Sequence, residues 1–153
     1  MHITMYTDGS SIGNPGPGGY GVVLMAGRHR KELSQGYRLT TNNRMELMAV
    51  IAGLEALKIP QSTVTVYTDS QYVVNSVEKK WLFGWEKKNF AGKKNADLWQ
   101  RFLKAYRCHT VSFKWVKGHD GNLENERCDR LAVTAAQSRQ LLEDTGYFPE
   151  VET

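Results

Sequence analysis

Two cysteines in 153 residues cannot staple a fold of this size, and Cys108 and Cys128 stand in no CxxC or zinc-ligand spacing. A disulfide scaffold and a zinc module are disfavoured, and a reducing, cytoplasmic setting is the default expectation. Long apolar runs are missing as well. Nothing approaches the roughly 20 consecutive apolar residues of a membrane span, and the start, MHITMYTDGS, lacks a basic n-region followed by an apolar h-region. Neither a membrane protein nor a secreted one is supported. Over most of the chain there is no excess of either charge, although the net charge is +4. That excess lies wholly between Glu78 and Lys94, where EKKWLFGWEKKNFAGKK holds six lysines against two glutamates.

What remains is ordinary for a globular protein: 41% apolar and 24% charged residues. The length suits one domain burying roughly 68–70% of its unfolded surface. The basic segment also carries Trp81, Phe83, Trp85 and Phe90. Lysines interleaved with aromatics can neutralise phosphates and offer flat faces to sugars or bases. A solvated helix packing its aromatic face on the core explains the same residues, since Trp81 and Trp85 stand at i, i+4.

The element pattern reads as a strand over His2–Asp8, a Gly/Pro turn, and strands over Gly21–Met25 and Lys31–Leu39. A helix follows over Arg44–Lys58, capped by Thr40-Thr41-Asn42-Asn43 and closed by Pro60. Next come a strand over Thr63–Asp69 and helices from Ser70 towards Trp81 and over Ala96–Tyr106. A strand over Thr110–Val116 has Val111, Phe113 and Trp115 on its apolar side, and a helix over Leu123–Leu142 precedes a loosely held tail. This order predicts a single α/β domain over 1–142, with a mixed sheet, a leading antiparallel meander and helical crossovers. The basic protrusion falls at about 78–95 and the tail at 143–153.

The sequence echoes itself. Tyr6-Thr7-Asp8 and Tyr67-Thr68-Asp69 each place an aspartate at the C-terminal end of an apolar strand, where ligands gather in open α/β sheets. If the two strands are neighbours, the aspartates lie side by side; turn and capping chemistry is the plainer reading of either alone. Glu46 stands among Met45, Leu47 and Met48 near a helix start, where the macrodipole also favours an acid. Asp129 sits in ENERCDRLA, beside Arg130 and among core positions. Four acids brought together would repel, and a divalent ion taking oxygen ligands is the natural compensation. Two such ions roughly 3.5–4 Å apart activate a water and stabilise a leaving oxygen at a phosphodiester.

The blocks YTDGSSIGNPGPGGYG at 6–21, TTNNRMELMA at 40–49, YTDSQYV at 67–73, DLWQR at 97–101 and WVKGHDGNLENERCDRLA at 115–132 closely resemble the type 1 ribonuclease H family in its bacterial single-domain form. The resemblance implies a ribonuclease H-like fold: a mixed five-stranded sheet, with an antiparallel three-strand meander, parallel strands and helices on both faces. It implies hydrolysis of the RNA strand of RNA–DNA hybrids, leaving 5′-phosphate and 3′-hydroxyl ends, with two Mg²⁺ ions or Mn²⁺ in their place. The family's metal-binding acids correspond to Asp8, Glu46, Asp69 and Asp129, and its mobile proton-transferring histidine to His119. Asn14, Asn42 and Gln71 correspond to minor-groove contacts, and Thr41 and Asn95 to a pocket for a DNA phosphate. Trp81 and Trp85 belong to the protrusion that holds the DNA strand; Asn43 and Ser10 are weaker candidates, explained as well by capping and turn formation.

Two departures stand out. The loop NFAGKKNADLW is about half a dozen residues short, and Leu39 occupies the place of the pocket's frequent arginine, with Arg38 one residue earlier. Both would raise the salt sensitivity of DNA-strand binding. Family behaviour implies a monomer and adds a single-strand DNA-binding protein as a candidate partner. The alternatives are a transposase- or integrase-like nuclease and a non-catalytic hybrid-binding module.

Overall fold

The structure, a computed structural model, describes residues 1–118 and 121–149. Five strands form one sheet: β1 (His2–Ser11), β2 (Gly16–Ala26), β3 (His29–Thr40), β4 (Thr63–Thr68) and β5 (Thr110–Trp115), in the order β3-β2-β1-β4-β5. β1, β2 and β3 pair antiparallel as a meander, while β1–β4 and β4–β5 are parallel. The crossovers carry α1 (Asn42–Glu55), α2 (Gln71–Glu78), α3 (Trp81–Lys87) and α4 (Ala96–Tyr106), and α5 (Leu123–Ala136) follows β5. Among the described residues no helix is long and apolar enough to cross a membrane.

Consecutive residues of β2 point to opposite faces, and this fixes the layers. A Cβ on Gly18 would meet Met45 of α1, whereas one on Gly21 would overlap the backbone carbonyl of Cys128 in α5. α1 therefore covers one face and α5 the other, the latter seated directly on β2 because glycine lets the backbones touch. The core between sheet, α1 and α4 is filled by Met5, Val22, Leu47, Ile51, Val64, Val66, Trp99 and Phe102.

The structure departs from the sequence reading at element ends. The Gly/Pro run is largely strand: β1 pairs with β2 as far as Ser11↔Gly18, leaving a short turn. The helix expected from Ser70 towards Trp81 is α2, which ends at Glu78, and a separate helix, α3, begins at Trp81 after Lys80 adopts left-handed φ 63°. The last helix ends at Ala136 rather than Leu142. Residues beyond it return to the sheet edge, where Leu142 N–H donates to Gly36 C=O at 3.0 Å and Arg38 N–H donates to Leu142 C=O at 2.9 Å. The described part of the tail is anchored, not loose. Asp144 accepts from Arg44 at 2.7 and 2.9 Å and from the Thr40 hydroxyl at 2.7 Å. Arg44 is fully buried and also grips Asp97 through two hydrogen bonds of 2.9 and 2.8 Å. Trp115 is the other exception: it follows the alternation but is 48% exposed.

Candidate metal centre and nucleic-acid surface

The two echoed strands are neighbours. Parallel pairing sets Tyr6 opposite Tyr67, and their rings stack with centroids 5.1 Å apart and planes 17° from parallel. Two residues further on in each strand stand Asp8, still within β1 and paired with Gly21 of β2, and Asp69, the first residue past the end of β4. Glu46 reaches them from the second turn of α1. Its helix can approach because residue 9 is glycine: a Cβ there would overlap the backbone of Met45 and Glu46. The bare Gly9 backbone instead hydrogen-bonds the Glu46 carboxylate.

One carboxylate oxygen from each of Asp8, Glu46 and Asp69 lies within 4.8 Å of the others. Asp129, carried by α5, lines the same cleft together with Asp8, Asp69, Gly118, Asn125 and Glu126. It is near enough to Asp8 to help raise that carboxyl but stands outside the tight trio. Burial, then repulsion from Asp69, pushes the Asp8 carboxyl up to about 8. Burial and the charges of Asp8 and Asp69 hold Glu46 well above the usual carboxylate range. A helix-dipole role does not account for this, since burial and the neighbouring Asp8 and Asp69 oppose ionisation of Glu46.

The donor set fits a hard divalent cation. Glu46, one of the converging trio, has its Oε2 buried without a hydrogen-bond partner, and Asn125, which lines the cleft with Asp8 and Asp69, has a second such oxygen in Oδ1. Leaving such atoms unsatisfied is costly, and an oxygen-seeking ion such as Mg²⁺ or Mn²⁺ supplies the missing partner. Asn125 was not singled out in the sequence; its position four residues before Asp129 on one helix face was the available signal.

The expected substrate residues fall into three groups. Asn14 Oδ1 accepts from the Asn42 backbone N–H at 3.0 Å, and Asn42 Oδ1 accepts from the Ser11 N–H at 2.8 Å and the Ser11 hydroxyl at 3.1 Å. The carboxamide oxygens being engaged, each side chain keeps its NH₂ as the group for an external acceptor. Thr41 caps α1, accepting from Arg44 N–H at 3.2 Å, and Asn95 accepts from Arg44 Nη1 at 3.4 Å while donating to the Tyr72 hydroxyl at 3.1 Å. Buried Arg44 thus joins Thr41 to Asn95. The sequence reading missed this, although an arginine inside the apolar run TTNNRMELMA was a visible signal. Leu39 is exposed, and Arg38 pairs with Glu143 at 3.1 Å on the surface.

Gln71 is exposed at the start of α2, two residues after Asp69. Trp81 is exposed with Lys79 over its ring, whereas Trp85 packs edge-on against Trp99 with Lys93 over it. Trp85 thus packs on the core as a structural aromatic, whereas the Trp81 ring is left open to solvent. Asn43 is exposed on α1 and Ser10 half-buried in β1. His119 lies outside the described residues.

Comparison with known proteins bears on this arrangement. The family model described as RNase H matches residues 1–137. A curated ribonuclease H from Trichodesmium erythraeum is 55% identical over 95% of this chain and 95% of its own length. One from Aeromonas hydrophila subsp. hydrophila is also 55% identical, over 96% of this chain and 97% of its own. Among solved structures, LC9-RNase H1, a type 1 RNase H with the type 2 active-site motif, superposes with a TM-score of 0.81 at 35% identity, covering 89% of this chain and 72% of that one. LC11-RNase H1 in complex with an RNA/DNA hybrid superposes with a TM-score of 0.67 at 27% identity, covering 88% of this chain and 96% of that one.

Proposed function

The chain belongs to the RNase H family and is a ribonuclease H enzyme, and on that premise we propose that it cuts the RNA strand of RNA–DNA hybrids by metal-assisted hydrolysis, without base-sequence preference. The observation that carries this reading is the convergence of Asp8, Glu46 and Asp69, with Glu46 Oε2 buried and without a hydrogen-bond partner. These three and Asp129 would hold divalent ions, with Mg²⁺ the resident metal and Mn²⁺ a substitute. When bound, such ions activate water and stabilise the leaving oxygen of the phosphodiester. LC11-RNase H1, with its bound hybrid, supports the choice of substrate.

The protein's own groups do the rest. Asp8 sits at the centre of the acid set, in contact with Glu46 and Asp129 and repelled by Asp69, and must lose its proton before a cation can occupy the site. The NH₂ groups of Asn14 and Asn42, with the exposed Gln71 amide, suit 2′-hydroxyls and base edges in a minor groove, and the 2′-hydroxyl marks the RNA strand. Thr41 and Asn95, joined by Arg44, and the lysine-flanked tryptophans suit the DNA strand's backbone. His119 is assigned proton transfer at the leaving group by the family resemblance, and imidazole titrates in the right range for it. The products are 5′-phosphate and 3′-hydroxyl ends, and the monomer works in the cytoplasm on hybrids left by replication and transcription. A single-strand DNA-binding protein is its candidate partner.

The test is an end-labelled RNA–DNA hybrid beside matched RNA–RNA and DNA–DNA duplexes, with Mg²⁺, Mn²⁺ or EDTA. Cutting confined to the hybrid's RNA strand and requiring metal is expected. Cutting of duplex DNA would replace this reading with the transposase-like one, and hybrid binding without cleavage in either metal would replace it with a binding module.

A further inference from the structure

The groups assigned above to substrate come from the β1–β2 turn and from the stretch between the start of α1 and the start of α4, including Gln71 two residues after Asp69; none comes from β5, on the outer side of β4. The end of β5 is nevertheless wrapped around Asp69. Trp115 pairs in register with Thr68, the last residue of β4, and Val116 N–H donates to Thr68 C=O at 2.9 Å. The Trp115 indole N–H donates to the backbone carbonyl of Asp69 at 3.1 Å. Gly118 lies so close that a Cβ there would stand 2.8 Å from Asp69 Oδ2.

With its polar end bound, the indole keeps nearly half of its surface in solvent beside the acid cluster. That apolar surface gains nothing from folding and is free to be buried by a bound partner, and a single hydrogen bond does not require so large a ring. The bond fixes the ring's orientation before any ligand arrives, so little side-chain freedom remains to be lost on contact. Lys117, two residues further on, is exposed and supplies positive charge at the same end of β5, while Lys114 lies on the opposite face over the Tyr67 ring.

We propose that Trp115 is a substrate-contact residue, its fixed indole packing against a ribose of the hybrid's RNA strand on the β5 side of the scissile phosphate. The proposal rests on the hybrid-nuclease reading of the site. It extends the footprint to the flank opposite Asn14 and Asn42, so that the strand is held on both sides of the reacting phosphate. The bases of a hybrid are paired, which leaves the sugar face as the apolar surface the ring can meet.

Trp115→Ala should raise KM about fivefold for a long hybrid, the loss expected for one aromatic contact, and leave kcat unchanged, because the contact serves ground state and transition state alike. Trp115→Phe, which keeps a ring and most of the packing but loses the N–H, should fall between alanine and tryptophan. Shortening the hybrid from one end, and from that end only, should abolish the difference between wild type and Trp115→Ala. A fall in kcat at unchanged KM would reassign Trp115 to a merely structural support of Asp69 and overturn the proposal. So would equal KM values in all three proteins, or a difference that survives shortening from both ends.

Binding of the hybrid to Asp8→Asn, with and without Trp115→Ala, gives a readout without turnover. The same fivefold weakening there, from protein that cuts no hybrid in its wild-type form, would uphold the contact and overturn only the nuclease reading. Unchanged affinity would overturn the contact.

Discussion

Asp8→Asn should make the metal-free protein more stable at neutral pH while destroying its metal site. The Asp8 carboxyl titrates at about 8 in the folded protein, against an ordinary 3.8, because burial and then the Asp69 charge oppose its ionisation. A carboxyl whose folded pKa lies above its unfolded value favours the fold while protonated. Its contribution is complete below about pH 4 and is lost as pH rises toward 8. At pH 7 the ceiling on the lost stability is about 4 kcal/mol, since each unit is worth about 1.4 kcal/mol. Asp8 opens on a cleft where water and neighbouring groups relax around the charge, and about half of that ceiling, ~2 kcal/mol, is the expected effect.

For a chain of this length ~2 kcal/mol corresponds to a rise of about 4–8 °C in Tm. The assay is thermal unfolding of wild type and Asp8→Asn in EDTA from pH 4 to pH 8. The two should melt together near pH 4, where wild-type Asp8 is already neutral, and diverge in favour of the variant as pH rises. Added Mg²⁺ should then raise the wild-type Tm and shrink the gap, since an ion that binds only the folded state stabilises it. A variant no more stable than wild type at pH 7, or a gain equally large at pH 4, would refute the account of a repulsive acid cluster.

The clamp on Arg44 predicts an order of stabilities in urea. Asp144→Asn removes a buried partner and should cost about 3 kcal/mol, whereas Asp97, with its side chain 44% exposed, should cost about 1 kcal/mol when neutralised; the reverse order would contradict the placement of the tail. Gly9→Ala should destabilise by about 2 kcal/mol or more and slow cleavage about a hundredfold by moving Glu46 off Asp8, and near-normal turnover would show that the α1–β1 approach does not set the site. Glu46→Gln should abolish most of the Tm rise that Mg²⁺ or Mn²⁺ gives wild type, as read by melting with and without EDTA. A metal response equal to wild type would remove Glu46 from the ligand set.

The site was legible where chemistry and strand ends coincide. The repeated Tyr-Thr-Asp marked two acids for neighbouring strands, and parallel pairing of Tyr6 with Tyr67 brought them together, although β1 runs on past Asp8 to Ser11 and only Asp69 stands at a strand end. Glu46 was legible as an acid among core methionines. What the sequence did not disclose depends on partners far along the chain. Asp144 reads as part of a polar tail until Arg44, 100 residues earlier, is seen buried against it. Alternation put Trp115 on the core face, and its position is indeed on that face, but at the strand end the core no longer covers it and the indole is bound to Asp69. Helix boundaries shifted for local reasons: the left-handed Lys80 separates α2 from the helix that begins at Trp81, and the edge of β3 captures Leu142 from the last helix.

The central claim is that four carboxylates from three separated stretches of chain and a fourth element act together on one phosphodiester. The most direct measurement is single-turnover cleavage of an end-labelled RNA–DNA hybrid in Mg²⁺ by wild type and by Asp8→Asn, Glu46→Gln, Asp69→Asn and Asp129→Asn, each shown to be folded. Wild type should cut the RNA strand. The first three variants should fall to background, and Asp129→Asn should be strongly but incompletely impaired, because its carboxylate stands outside the tight trio. Wild-type rates in any of the first three would contradict the account.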